Sequence, residues 1–190
     1  MIDVFLSASV PLPDRDRRFF DSADVLAIRE AIKALVEVVL PIGRITFGGH
    51  PAITPLIAFF VREARFERNR LTIFQSRYFD GAFPDANSEF HDLRLVDAIN
   101  NNREDSLRSM RIAMIQSRPF VAAVAIGGME GVLDEIELFS KLRPAAQVIP
   151  VASTGAAARE VFDRGEFPVE FQSELTYMTL FRRRIRSLPS

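Results

Sequence analysis

The segment Phe120-Val121-Ala122-Ala123-Val124-Ala125-Ile126-Gly127-Gly128-Met129-Glu130-Gly131-Val132-Leu133-Asp134-Glu135 reads as a buried strand, a glycine corner and a helix. Its first seven residues form a continuous apolar run without alternation, which suits a central strand of a parallel sheet buried on both faces. Gly127-Gly128 ends that strand, and Val132 to Leu142 continues as a helix.

The same alternation of strand and helix recurs on both sides of it. Upstream, Ile2 to Leu6 reads as a strand ending at Ser7-Ala8-Ser9, followed by a loop rich in Pro, Asp and Arg. Val25, Ile28, Ile32, Leu35, Val36 and Val39 recur at helical spacing, with Ser22 or Asp24 at the start. Arg44 to Phe47 is a short strand that stops at Gly48-Gly49-His50-Pro51, and Ile53 to Phe66 reads as the next helix. Leu71 to Phe74 is a third strand, Arg77 to His91 an irregular excursion, and Leu93 to Ile99 a run read as a strand although its periodicity also allows a helical turn. Asp105 to Ser117 is a helix halted by Pro119. Downstream, Gln147 to Val151 is a strand, Ala156 to Phe162 a helix, and Ser173 to Ser187 a terminal helix. The expected fold is α/β, a Rossmann-like three-layer sandwich with a mainly parallel central sheet, formed by residues 1–190 as one domain.

Composition narrows the chemistry. The chain has 190 residues, 48% of them apolar, enough for one well-buried core. It has no cysteine, which excludes disulfides, a thiolate nucleophile and cysteine-ligated metals, and its two histidines make no metal site, so no metal and no cofactor is assigned. Acidic and basic residues nearly cancel at a formal charge of −1, which argues against a nucleic-acid footprint. The basic run Arg182-Arg183-Arg184-Ile185-Arg186 reads as the solvated face of a terminal helix. Without a leader-like start or a bilayer-length apolar segment, a cytoplasmic location off the membrane is expected.

Four strand ends carry small or hydroxyl residues: Ser7 and Ser9, Gly48 and Gly49, Gly127 and Gly128 with Gly131, and Ser153-Thr154-Gly155. In a parallel sheet they share one edge, where ligands bind beyond the carboxyl ends of the strands. Glycine there lets amides approach a ligand, and the following helix offers free N–H groups suited to phosphate or carboxylate. His50 follows the second glycine pair and could reach the same edge, or serve only as a loop residue. Asp134, Glu135 and Glu137 are also what the dipole favours in a first helical turn, whatever the function.

The segment Ile126 to Glu135 resembles the glycine and acid motif of the SLOG superfamily, which includes the lonely-guy (LOG) phosphoribohydrolases, the DprA/Smf DNA-processing proteins and sensor domains of nucleotide-based bacterial conflict systems. Ser7-Ala8-Ser9, Gly48-Gly49 and Met110-Arg111-Ile112-Ala113-Met114 agree in order, so the resemblance spans roughly Met1 to Phe162. Departures from the LOG run Pro-Gly-Gly-x-Gly-Thr-x-x-Glu are Ile126 for Pro, one extra residue before Gly131, and Val132 for Thr. Ser153-Thr154-Gly155-Ala156-Ala157 looks like the last ligand loop of the sensor-like branches, the closer group.

That resemblance implies binding or sensing of a nucleotide or an ADP-ribose-like derivative in a bacterial defence or signalling system, with the glycine turns on phosphate and Glu130 or Glu135 on ribose. Its alternative is a hydrolase that cleaves an N-glycosidic bond, with Arg111 holding phosphate and Glu135 assisting water. A nucleic-acid module of DprA type ranks third. The resemblance also implies a homodimer, with an interface expected from exposed apolar positions on the helix of Asp105 to Ser117 or on the final helix.

Overall fold

A computed structural model describes residues 1–187, so residues 188–190 of the expected domain lie outside the described residues. The strands are β1 (Ile2–Ser9), β2 (Gly43–Gly48), β3 (Leu71–Ser76), β4 (Asp92–Val96), β5 (Ala122–Gly127) and β6 (Gln147–Val151). They form one sheet in the order β4-β3-β2-β1-β5-β6, and every neighbouring pair is parallel. The helices are α1 (Arg17–Ser22), α2 (Val25–Val39), α3 (Ile53–Glu63), α4 (Arg103–Gln116), α5 (Glu130–Leu142), α6 (Ala156–Arg164), α7 (Glu170–Ser173) and α8 (Tyr177–Ile185).

Alternation along β1 distributes the core. Val4 and Leu6 join Ile45 and Phe47 under α2, α3 and α8, whereas Phe5 joins Ala123 and Ala125 under α4, α5 and α6. β5 is buried at every position because helices cover both of its faces, as the apolar run at Phe120 to Ile126 predicts. The chain builds outward from β1 to β4 and then returns to the opposite side of β1 with β5. The order therefore reverses between β1 and β5, and the rule for open parallel sheets puts a ligand crevice at their carboxyl ends.

Three local expectations change. The segment read as a loop before α2 contains α1, whose Asp16 cap accepts from the Arg18 amide at 2.8 Å and whose Phe19 is buried; one and a half polar turns carry no readable periodicity. The helix expected to reach Phe66 ends at Glu63, because Arg65 adopts a left-handed backbone (φ 55°) and turns the Phe66 amide back to the Val61 carbonyl. The terminal helix expected over Ser173 to Ser187 is shorter, running as α8 from Tyr177 to Ile185; α7 is a separate first piece that ends at Ser173, and between the two pieces Glu174 accepts from the Thr176 amide.

The second piece is core rather than appendage. Leu180, Phe181 and Ile185 pack with α2 in the same cluster as the sheet, and Met110, Met114 and Ile115 of α4 point into the opposite cluster. The largest apolar side chains of these two helices are thus spent inside the domain, while Leu107, Ile112 and Met178 stay half-buried.

At the amino end of the sheet a charged network ties strands together. Arg44 of β2 grips Asp3 of β1 through two hydrogen bonds of 2.8 and 3.0 Å, while Arg118 reaches Asp92 at 3.3 Å and Thr72 at 3.2 Å.

Candidate functional site

A cleft of about 500 Å³ opens at the carboxyl ends of β1, β2 and β5, under the amino-terminal half of α4 and the start of α5. Its apolar floor includes Leu6, Phe47, Ile53, Leu107, Met110 and Met129, and its polar wall includes Ser9, His50, Arg15, Arg103, Glu104, Arg111, Glu130, Asp134 and Glu135. An apolar floor with a few converging polar groups is the usual form of a small-molecule site.

The corner between β5 and α5 needs its glycines. Gly127 and Gly128 have φ of 56° and 96°, and a Cβ on Gly128 would overlap the Val132 side chain. Their amides, however, are turned into the protein: Gly127 donates to Thr154 Oγ1 at 2.8 Å and Gly128 to the Ser9 carbonyl at 2.8 Å. The free amides beside the cleft come two and three residues after Gly128. α5 starts at Glu130 without a side-chain cap, so the amides of Glu130 and Gly131 lack intrahelical acceptors and form the positive end of the helix dipole.

Beside that helix start lies an ionic constellation. Arg111 Nη1 contacts Asp134 at 3.0 Å, Arg111 Nε stands 3.6 Å from Glu135 Oε1, and Ser7 Oγ donates to Glu135 Oε2 at 2.6 Å. Gly131 makes room for it, since a Cβ there would stand 3.2 Å from Arg111 Nη2. The side chains of Arg111 and Glu135 are each only 15% exposed. Burial pushes the Glu135 carboxyl above its ordinary range, and Arg111 and the Ser7 hydrogen bond pull against that shift without cancelling it. A buried carboxyl held between a cation and a hydroxyl can accept from a sugar hydroxyl or deliver a proton.

His50 occupies the opposite wall and organises the turn into α3. Its carbonyl accepts from the amides of Ile53 and Thr54, its own amide donates to Thr54 Oγ1 at 3.0 Å, and its Nδ1 accepts from the Ala52 amide at 3.2 Å. Burial, reinforced by the charge of Arg15, pushes the His50 imidazole down to about 4, so it is neutral near pH 7.

The residues singled out from sequence divide into three groups. Ser9, Gly48, Gly49, His50, Arg111, Glu130, Gly131 and Glu135 line the cleft. Ser7, Gly127 and Gly128 lie directly behind the wall: Ser7 is 1% exposed and reaches the site through Glu135. Ser153, Thr154 and Gly155 do not come to the cleft. The Thr154 hydroxyl is fully buried between the Gly127 amide and the Val151 carbonyl, Ser153 Oγ meets the Tyr177 hydroxyl at 3.1 Å, and Gly155 (φ 71°) is pressed against the Ser22 carbonyl. β6 is an edge strand on the β5 side of the sheet, and the loop after it packs against α2, α6 and α7 instead of over the crevice. Glu130 sits on the rim, 3.6 Å from Arg18.

Sequence reasoning missed Arg15 and Arg103. Arg15 lies in the loop after β1, and the rule that loops at the carboxyl ends of strands face the ligand was the signal that could have found it. Arg103 opens α4, one residue after the Asn102 cap, and carries no such mark.

Sheet order, crevice and glycine corner together define a Rossmann-like domain with a cleft at its strand ends. The chain belongs to the SLOG cluster3 family, whose model matches residues 18–185. No curated protein matches it. Among solved structures it is similar to the X-ray structure of TM1055, a structural-genomics target, with 15% identity over 86% of this chain and 81% of that one and a TM-score of 0.56, a likeness of fold. Among the described residues no helix is long and apolar enough to cross a membrane.

Proposed function

We propose that the chain binds a nucleotide or nucleotide-derived small molecule of ADP-ribose type in the cleft, and that binding serves sensing. The observation that carries this reading is the uncapped start of α5 beside Arg111, with a buried carboxyl within reach of the same ligand. The amides of Glu130 and Gly131 take a phosphate, Arg111 adds charge, and Glu135, with Glu130 at the rim, accepts from ribose hydroxyls. The apolar floor accommodates the remainder. Thermal-shift titration with AMP, ADP-ribose and ribose 5-phosphate tests it, because a ligand of the native state raises the melting temperature by mass action. No shift with any of the three at millimolar concentration rejects the reading. A homodimer belongs to the same proposal, and light scattering that returned only the 21.4 kDa monomer mass would remove it.

One observation favours a second reading. A carboxyl whose affinity for protons is raised by burial, with Arg111 at its side, is equipped as a general acid or base for N-glycosidic hydrolysis. Water would add to the anomeric carbon of a nucleoside monophosphate as the bond to the base breaks and the base takes up a proton. Free base released from AMP by the wild type, and lost in E135Q, would establish turnover; no release leaves sensing.

A further inference from the structure

We propose that His50 is the cleft's contact for the nucleobase, donating from Nε2 to a ring nitrogen or carbonyl, so that the ligand lies with its phosphate at α5 and its base over the end of β2. This rests on the nucleotide reading above and adds the direction in which the ligand lies.

Three observations lead here. First, the tautomer is fixed by the turn: the Ala52 amide has to find an acceptor, and it finds His50 Nδ1 at 3.2 Å, so the neutral ring carries its proton on Nε2. Among the described residues nothing accepts from Nε2, and His50 lines the cleft. Second, the ring is uncharged near pH 7, which suits a neutral acceptor better than a phosphate. Third, the distance fits. β2 and β5 flank β1, so the α5 start and the His50 turn are two inter-strand steps apart, about 10 Å, roughly the span of a nucleoside monophosphate from phosphate to base. Between them the floor of Phe47, Ile53, Leu107 and Met110 offers apolar contact to a flat ring.

Two substitutions separate the jobs of the two ring nitrogens. In H50N the amide oxygen takes the place of Nδ1 and keeps the Ala52 bond, while the Nε2 donor disappears. In H50Q the donor remains near the Nε2 position and the acceptor for Ala52 is lost. Calorimetric titration with AMP and with ribose 5-phosphate, which has the phosphate and sugar but no base, reads the difference. H50N is expected to weaken AMP about tenfold, the loss of one hydrogen bond, with ribose 5-phosphate and the melting temperature unchanged. H50Q is expected to lower the melting temperature and to retain AMP more nearly as the wild type does, and R111A to weaken both compounds. Long-range nitrogen-proton correlations of the imidazole should show Nδ1 bare and Nε2 protonated.

An H50N protein that binds both compounds as the wild type does, or loses both equally, overturns the base assignment alone. So does an R15A protein that loses ribose 5-phosphate while R111A keeps it, since the phosphate would then lie at the His50 end. A wild type that binds neither compound defeats the nucleotide reading and the assignment with it.

Discussion

The Ser7 hydroxyl donates to Glu135 Oε2 at 2.6 Å, joining a central strand to the first turns of α5 across 128 positions of sequence. Ser7 shares its face of β1 with Phe5, the face that α5 covers, and is too buried to meet a ligand itself. What it does is orient the carboxyl. Glu135 is thereby held between Ser7 and Arg111 at the wall of the cleft, an arrangement that suits either a ribose contact or an acid–base group.

Removing that hydroxyl should move the carboxyl's protonation further up. The bond from Ser7 favours the charged form, so S7A leaves burial less opposed and raises the Glu135 pKa beyond its already elevated wild-type value. The linked stability has a definite sign. A carboxyl whose folded pKa is raised binds protons more tightly in the native state, so stability falls as pH rises from 4.5 through the folded value. In E135Q that downward component should vanish. Carbon-detected titration of the Glu135 carboxyl and melting curves against pH check both statements.

His50 should act in the reverse sense. Its folded pKa lies at about 4 against an ordinary 6.5, so the unfolded chain binds the extra proton between those values. Stability then rises with pH across the window and is fully developed above 6.5, the contribution lost by pH 4 amounting to at most about 3 kcal/mol. H50N should flatten that part of the curve, measured as denaturation midpoints at constant ionic strength. A slope unchanged by the substitution would mean the imidazole titrates normally.

Much of this architecture was legible in sequence, for identifiable reasons. A seven-residue apolar run into Gly127-Gly128 and the spacing of Ile28, Ile32, Leu35 and Val39 are patterns with few structural solutions, and both appear where expected. The sheet is entirely parallel, as the alternation of strands and helices implies. What sequence could not supply was strand order. Only the position of β6 at the sheet edge explains why Thr154 spends its hydroxyl on Gly127 and Val151 while Ser9, beside β5, borders the cleft. Short, polar α1 was invisible for want of a period. Arg15 was passed over because a cation in a Pro- and Asp-rich loop looks the same whether it faces solvent or a ligand.

The amino end of the sheet provides a control. Asp3 is 4% exposed and takes both hydrogen bonds from Arg44, with Arg118 3.7 Å away. D3A leaves two cations facing a half-buried vacancy and should cost roughly 2–3 kcal/mol, less than a fully buried pair because Arg44 keeps contact with water. Chemical denaturation should show that loss. Affinity for whichever nucleotide binds should stay within twofold, as the network lies at the opposite end of the strands from the cleft.

Two glycines in one corner should respond oppositely to the same methyl group. Gly128 has φ of 96°, a region costly for any side chain, and its Cβ would overlap Val132, so G128A is expected to lose about 2 kcal/mol, roughly 5 °C of melting temperature. Weaker ligand binding in that variant would follow from a displaced corner. Gly131 sits in the first turn of α5 with an ordinary helical backbone, where alanine removes unfolded-state freedom and adds up to about 1 kcal/mol. Its new methyl, however, would stand 3.2 Å from Arg111 Nη2 and force the guanidinium to give way by a few tenths of an ångström. G131A should therefore fold as well as the wild type or better while binding a phosphate-bearing probe more weakly, and R111A should remove most of the difference between G131A and wild type. Differential scanning calorimetry paired with ribose 5-phosphate titration reads both quantities on the same samples. A G131A protein of unchanged phosphate affinity would show that Arg111 and the start of α5 do not act together on the ligand, and the phosphate would have to be sought near Arg15 or Arg103.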